Sequence, residues 1–288
     1  MTNWFLYAAA VLIWGSTWFA INFQLRVVGA EVSLAYRFLA AALLLFAWCR
    51  VRKLPLRFDA VSHGHFLGMG MFLFGLNYLC AYSAQLYIAS ALNAIAFTAI
   101  LWFNILNARI VLGTRVSRRT LLGALAGMLG TAVIFWPEVQ SVSLSDRILV
   151  GASFSIVGAL CASFGNIAAA LSQRRGLPIV QGNAWSMLYG GLLTATIAAA
   201  RGESFVFQPD AAYLVSLVYL TLFGTVLAFG AYLTLLGRIG AERAGYTVVM
   251  VPVVALVVSA VLENLRLTPA MGIGVALALA GNLLILRR

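Results

Sequence analysis

The chain has 288 residues, 63% hydrophobic and 9% charged, with a formal net charge of +11. Soluble domains carry roughly 25% charged residues, and a water-soluble fold of this length has too little interior to hide so much apolar surface. The composition therefore excludes a soluble globular domain, and the positive charge is read as loop bias at one membrane face, with no nucleic-acid partner.

A membrane-spanning helix needs about 20 apolar residues, whereas barrel strands alternate over roughly ten. The apolar windows predict ten helices, at 4–22, 31–49, 63–85, 89–112, 118–136, 147–172, 178–200, 211–236, 241–262 and 268–286. The opening run MTNWFLYAAAVLIWG has no positive leader region and no small-residue cleavage site, so it reads as a retained first span. It sets Trp14, Ser16, Thr17 and Trp18 at mid-depth. Tryptophan is commoner at the membrane interface, so here it points either to binding or to core packing. The second span holds Arg37, the one ionisable group plainly inside a span. Such a residue marks function by default. Three readings stand: its stem reaches the outer edge, it pairs with Glu31, or it holds a substrate carboxylate.

The third span ends in LNYLCAYSAQLYIAS, which puts Tyr78, Tyr82 and Gln85 on one helix face. Rings with polar tips suit a ligand that is part apolar and part charged; interface-belt and core roles are the alternatives, and Tyr87 reads as belt. In the fourth span Asn93, Phe97, Ile100, Asn104 and Asn107 form one stripe. Amides do not face lipid unpaired, so this stripe is either helix-helix glue or the wall of a wet cavity, with Asn107 on the structural side. Trp102 lies opposite Asn93 and faces lipid or a neighbour, yet stays among the binding candidates. The fifth and tenth spans carry small-residue stripes for close packing: Gly123, Gly127 and Gly130, then Gly274, Ala278 and Gly281.

In the sixth span Ser163, Phe164 and Asn166 cluster, and Asn166 is favoured for a ligand or gate hydrogen bond over glue. Cys49, Cys80 and Cys161 lack metal-site spacing and read as small core hydrophobes. The eighth span places Phe229 and Tyr232 on a face with Thr225. The ninth places Tyr246, Met250 and Val253 together beside Pro252, the one proline well inside a span. Pro252 is a hinge or a static kink.

Fourteen of the nineteen Lys and Arg fall on one side if both termini are cytoplasmic, which orients the chain by the positive-inside rule. Arg26, Arg147, Arg201 and Arg266 fall outside, as do Glu31, Glu138, Asp146, Glu203, Asp210 and Glu263.

The second half echoes the first. Ala81/Ala231, Tyr82/Tyr232, Leu86/Leu236, Ala91/Ala241 and Ala94/Ala244 match at an offset of 150. Ser117/Thr268, Gly123/Gly274 and Gly130/Gly281 match at 151, and Ser16/Ser163 and Gly29/Gly176 at 147. Two repeats, 1–140 and 141–288, with five spans each must be inverted in the membrane. Inverted repeats place a transporter's substrate at the repeat interface.

At this point WGSTW in the first span, AYRFLAAALLL in the second and the run from GAERAGYTVVM to GNLLIL at the end resemble the drug/metabolite transporter superfamily, in its ten-helix EamA-type exporter branch, over essentially the whole chain. Within that branch, NYLCAYSAQLYIASALNA is similar to exporters of aromatic amino acids. LGTR at 112–115 departs from the Gly-Glu pair common there, which leaves Glu263 without a counterpart. The resemblance implies an all-α integral membrane protein, two inverted five-helix repeats around a central cavity. The first, third, fourth, sixth, eighth and ninth spans line it, and the fifth and tenth are peripheral. It implies export of amino acids or similar metabolites, without a cofactor, by a monomer in the bacterial inner membrane. The residues put forward to line the cavity are Trp14, Ser16, Thr17, Tyr78, Tyr82, Asn93, Phe97, Trp102, Phe164, Asn166, Phe229, Tyr232, Tyr246 and Met250, with Pro252 as a hinge and Arg37 as a possible carboxylate partner.

Rival classes fit less well. A membrane enzyme needs acid–base or metal groups, and only His63 and His65 at a loop edge are offered. A sugar-phosphate carrier wants several cations in its cavity. No Asp or Glu sits clearly in the bilayer core, so obligatory proton coupling is not expected.

Overall fold

The computed structural model describes residues 1–21, 23–24, 28–88, 90–136, 146–207, 210–262 and 268–286, the side chains of residues 18, 90–92, 94, 259, 262 and 286 excepted. The expectations for Arg26, Glu138, Glu263, Arg266, Arg287, Arg288 and the Trp18 side chain lie outside the described residues.

Apolar runs become helices, and short polar caps and glycines bound them. In chain order these are α1 (Asn3–Ile21), α2 (Ala30–Val51), α3 (Ala60–Gln85), α4 (Ser90–Phe97, then Ile100–Leu112), α5 (Arg118–Ile134), α6 (Asp146–Arg174), α7 (Ile179–Ala200), α8 (Ala211–Ile239), α9 (Ala241–Ala244, then Tyr246–Leu262) and α10 (Pro269–Leu286). Among the described residues there is no strand. Seven helices there are long and apolar enough to cross a membrane: α1, α2, α3, α6, α8 and the stretches Ile95–Leu112 and Ala241–Val258.

Two helices expected to be continuous are interrupted. In α4 the Thr98 hydroxyl donates to Ile95 O at 2.6 Å, and successive amides bond three residues back rather than four. That tightens one turn and breaks the regular ladder. In α9 the break falls at Gly245.

The starts of equivalent helices are capped alike. Asp59 accepts from the Ser62 amide at the start of α3, and Asp210 accepts from the Tyr213 amide at the start of α8. Ser117 and Thr268 do the same for α5 and α10. Each cap satisfies an otherwise orphaned donor and stabilises by about 1 kcal/mol. Both long helices α3 and α8 also contain a π-helical stretch, Gly70–Leu76 and Leu220–Leu227, whose starts are 150 residues apart. That is the spacing of the Tyr82/Tyr232 match.

The packing pairs follow a pattern. α2 lies along α7, and α5 along α10; α6 packs on α3 and α4, while α1 packs on α8 and α9. Exchanging the halves maps the first two pairs onto themselves and swaps the other two sets. The α5–α10 contact is backbone to backbone. A Cβ on Gly130 would lie 2.6 Å from Gly274 O and Ala278 N. In lipid, where helices gain little from hiding apolar surface from one another, such close approach supplies the attraction.

Helix ends collect into two layers. At one, Arg238 donates to Met1 O at 2.8 Å, Arg174 to Leu112 O at 3.1 Å, and Arg175 faces Asp59 at 4.0 Å. At the other, Arg201 pairs with Glu31 and Arg147 donates to Leu86 O at 3.0 Å. α3 starts beside Asp59 and α8 ends beside Arg238, so these two helices run in opposite directions.

Candidate functional site

Between the halves lies a cavity of about 120 Å³, walled by α1, α2, α3, α4, α6, α8 and α9. It has room for several waters or a small solute, and falls below the roughly 300 Å³ at which drug-sized sites begin. One part of its wall is aromatic. The Trp14 ring meets Phe229 and Tyr232, each with centroids 5.0 Å apart, and Phe229 meets Phe74 at 4.8 Å. Tyr78 sits edge-on to Phe38 at 5.1 Å.

The π stretch of α8 explains how Trp14 is held. A π turn shifts the backbone hydrogen-bond register and releases carbonyls from the helix ladder. Gly224 O accepts from the Trp14 indole N–H at 3.1 Å. The next residue, Thr225, accepts from Arg37 Nε at 2.7 Å. One irregular stretch of the second half thus fixes two residues of the first.

Of the residues expected to line a cavity, Trp14, Thr17, Tyr78, Tyr82, Phe97, Asn166, Phe229 and Tyr232 do so, together with Arg37. Arg37 brings α2 into the wall, which was not expected. It is 1% exposed, so its stem does not reach the surface, and Glu31 is paired with Arg201 instead. Asn166 donates to Asn104 Oδ1 at 3.2 Å, and Asn104 in turn to Ala241 O at 3.3 Å. The oxygens of Asn77, Asn166 and Tyr232 are buried without a hydrogen-bond partner. Such atoms are costly in an apolar interior, and Asn77, Asn166 and Tyr232 all border the cavity. Sequence reasoning passed over Ile21, Leu73, Ala81, Ala162, Val248 and Val251, aliphatic wall residues with no chemical signature.

The other candidates are placed elsewhere. Ser16 is within 2.6 Å of the Tyr219 hydroxyl at the α1–α8 contact. Asn93 donates to Ala81 O at 3.0 Å and accepts from Ser155, which makes it glue between α3, α4 and α6. Trp102 donates to Met128 Sδ on α5 at 2.7 Å. Phe164 is 40% exposed and packs on Phe72; two residues from Asn166, it points about 200° away around the helix. Tyr246 fills a slot between Gly127 and Gly281 and donates to Ala278 O at 2.8 Å, which ties α9 to α10. Met250 belongs to a buried cluster with Leu101 and Ile105. Pro252 is buried inside α9 at the turn where Val251 and Val254 press on Gly15 of α1.

Comparison with known proteins follows the same lines. The sequence matches the profile described as the EamA-like transporter family over residues 2–136 and 149–287. It is 25% identical over 251 residues to the Escherichia coli K12 protein named "Uncharacterized inner membrane transporter YedA", across 86% of this chain and 78% of that one. It is 23% identical over 256 residues to the Bacillus subtilis "Uncharacterized transporter YoaV", across 86% and 84%. With the Salmonella typhimurium "Probable amino-acid metabolite efflux pump" it shares 25% identity over 284 residues, 96% and 92% of the two chains. A solved crystal structure 19% identical in sequence superposes with a TM-score of 0.83 over 98% of this chain and 95% of the other, which establishes the likeness of fold.

Proposed function

This chain belongs to the EamA-like transporter family, and we propose that within it the protein exports small metabolites, amino acids with aromatic or other neutral side chains first among them, across the bacterial inner membrane. The observation that carries this reading is the ring-walled cavity between the halves, where Trp14, Tyr78, Tyr82, Phe229 and Tyr232 converge. Aromatic rings with polar tips receive the apolar and ammonium parts of such a solute. The name of the Salmonella relative agrees with that substrate class.

The mechanism proposed is alternating access by two inverted five-helix repeats, 1–140 and 141–288, in a ten-span monomer with both termini cytoplasmic and no cofactor. Four observations support it. Caps and π stretches recur at the spacing of the sequence repeat, the packing pairs exchange with the halves, and α3 opposes α8 in direction. Lysine and arginine, finally, fall mostly on the side of the termini when ten spans are counted, as the positive-inside rule asks. Pro252 in α9 is the hinge proposed for the change of access.

Among the described residues no carboxylate lines the cavity, and Arg37 is the single cation on its wall. Movement is therefore downhill without obligatory proton coupling, and a sugar-phosphate carrier, which needs several cations, is the weaker reading. In proteoliposomes, counterflow of labelled phenylalanine falls about tenfold or more in Tyr82→Ala and in Tyr232→Ala, equal to a loss of ~1.4 kcal/mol. A pH gradient imposed without a substrate gradient drives no flux. Unchanged counterflow in both variants removes the site; flux driven by the pH gradient alone removes the uncoupled mechanism.

A further inference from the structure

We infer that Arg37 is the fixed charge that selects the substrate: the cavity takes solutes presenting a carboxylate beside an apolar part, and rejects the same solutes once that carboxylate is capped. This rests on the cavity being the transport site and names the end of the solute that the protein grips.

A guanidinium keeps its proton in proteins. Burying it unpaired is costly, and more so in a membrane. Arg37 is 1% exposed, and among the described residues no carboxylate answers it. Glu31 is engaged by Arg201, and Asp59 faces Arg175 while capping α3. Asp210 caps α8, Glu203 lies against Gly29, Glu242 lies against Gly240, and Asp146 is exposed. Glu138 and Glu263 are outside the described residues.

What surrounds Arg37 compensates the charge only in part. Its guanidinium carbon stands 5.0 Å from the centre of the Tyr78 ring and 5.6 Å from that of Phe38, and the neutral hydroxyls of Tyr78 and Tyr82 lie within its reach. Ring faces attract a cation weakly compared with a carboxylate. Nε is spent on Thr225, but Nη1 has no partner, and the side chain borders the cavity. The Thr225 hydroxyl donates to Leu220 O at 2.9 Å, five residues back in the π stretch, so its oxygen is left to accept from Arg37. The arginine is held in one orientation before any solute arrives, which is what selective binding of a planar carboxylate requires.

The same wall offers the complement for an ammonium group. Asn77 Oδ1 and Asn166 Oδ1 are buried acceptors without partners. Carboxylate to Arg37, ammonium to amide oxygen and side chain to rings describes an α-amino acid. The second half carries no copy of this charge: the buried face of α7, the counterpart of α2, holds Gln181, Asn183, Ser186 and Thr194 but no cation.

The test is competition against labelled phenylalanine in proteoliposome counterflow. Phenylalanine and 3-phenylpropionate compete; phenylalaninamide is weaker by about 30-fold or more, the scale of losing one partner of a buried charge pair. Arg37→Gln abolishes the preference, Arg37→Lys keeps part of it, and Thr225→Val keeps it with weaker binding. Equal competition by acid and amide in the wild type overturns the inference while the exporter reading stands. If phenylalanine gives no counterflow, the amino-acid reading fails separately. Thermal stabilisation of the purified wild type by aromatic carboxylates but not by their amides then still supports Arg37, and stabilisation by both alike overturns it.

Discussion

Gly130→Leu, or Gly274→Leu, leaves little folded protein in the membrane. At this crossing the α5 and α10 backbones touch. The Cβ of either substitution would meet backbone atoms of the opposite helix at 2.6 Å, where no side chain can swing aside. Overpacking inside a core costs about 1–3 kcal/mol even when side chains yield, and here whole helices must separate. The separation also opens the slot that Gly127 and Gly281 form around Tyr246, so α9 loses its hydrogen bond to Ala278 O. The monodisperse gel-filtration peak recovered from membranes is expected to fall about tenfold, because forcing the two helices apart cancels most of a stability of only about 5–15 kcal/mol. Gly272→Leu is the control on the same helix, because nothing lies within 4 Å of a Cβ there, and its recovery matches wild type. Wild-type recovery of Gly130→Leu would show that the two helices are not held by backbone contact.

Trp14→Ala has the largest expected effect on transport. Its ring belongs to α1, while its three contacts belong to α8: the indole bond to Gly224 O and the rings of Phe229 and Tyr232. Ring pairs contribute about 0.5–1.5 kcal/mol each beyond buried area, and a typical hydrogen bond adds about 1 kcal/mol. Losing all three opens a gap in the aromatic wall and loosens α1 from α8 beside the cavity. Counterflow of phenylalanine, normalised to folded protein, drops about 30-fold or more, as a loss near 2 kcal/mol implies. Trp14→Phe falls between, since it keeps a ring and loses the N–H. A variant lacking the ring that transports at the wild-type rate would move the substrate away from this wall.

Much of this arrangement is readable from local spacing. Tyr78 and Tyr82 share a helix face by simple periodicity, and Tyr232 follows from Tyr82 by the repeat offset. The caps Asp59 and Asp210, 151 residues apart, follow the same repeat, but a short polar residue between two apolar runs carries no mark in a hydrophobicity pattern that separates a cap from a loop. What fails is orientation set by other helices. Tyr246 points into a slot that glycines of α5 and α10 create, and Asn93 meets Ser155 of α6. Neither partner is close in sequence. Phe164 is an error of a different kind, because a residue two places from Asn166 cannot share its face. The depth of Arg37 depends on the π stretch in α8, where Thr225 awaits it; a change of helix register leaves no mark in a hydrophobicity pattern.

The central claim is that the two halves are oppositely inserted around the cavity they share. Ala60 and Ala211 test it most directly. Each is exposed, and each opens an equivalent helix just after its capping aspartate. With Cys49, Cys80 and Cys161 replaced, single cysteines at these positions are treated with a membrane-impermeant maleimide in intact cells and in inverted vesicles. The account predicts that Ala211→Cys reacts in cells and Ala60→Cys only in inverted vesicles. Reaction of both from the same face would contradict it.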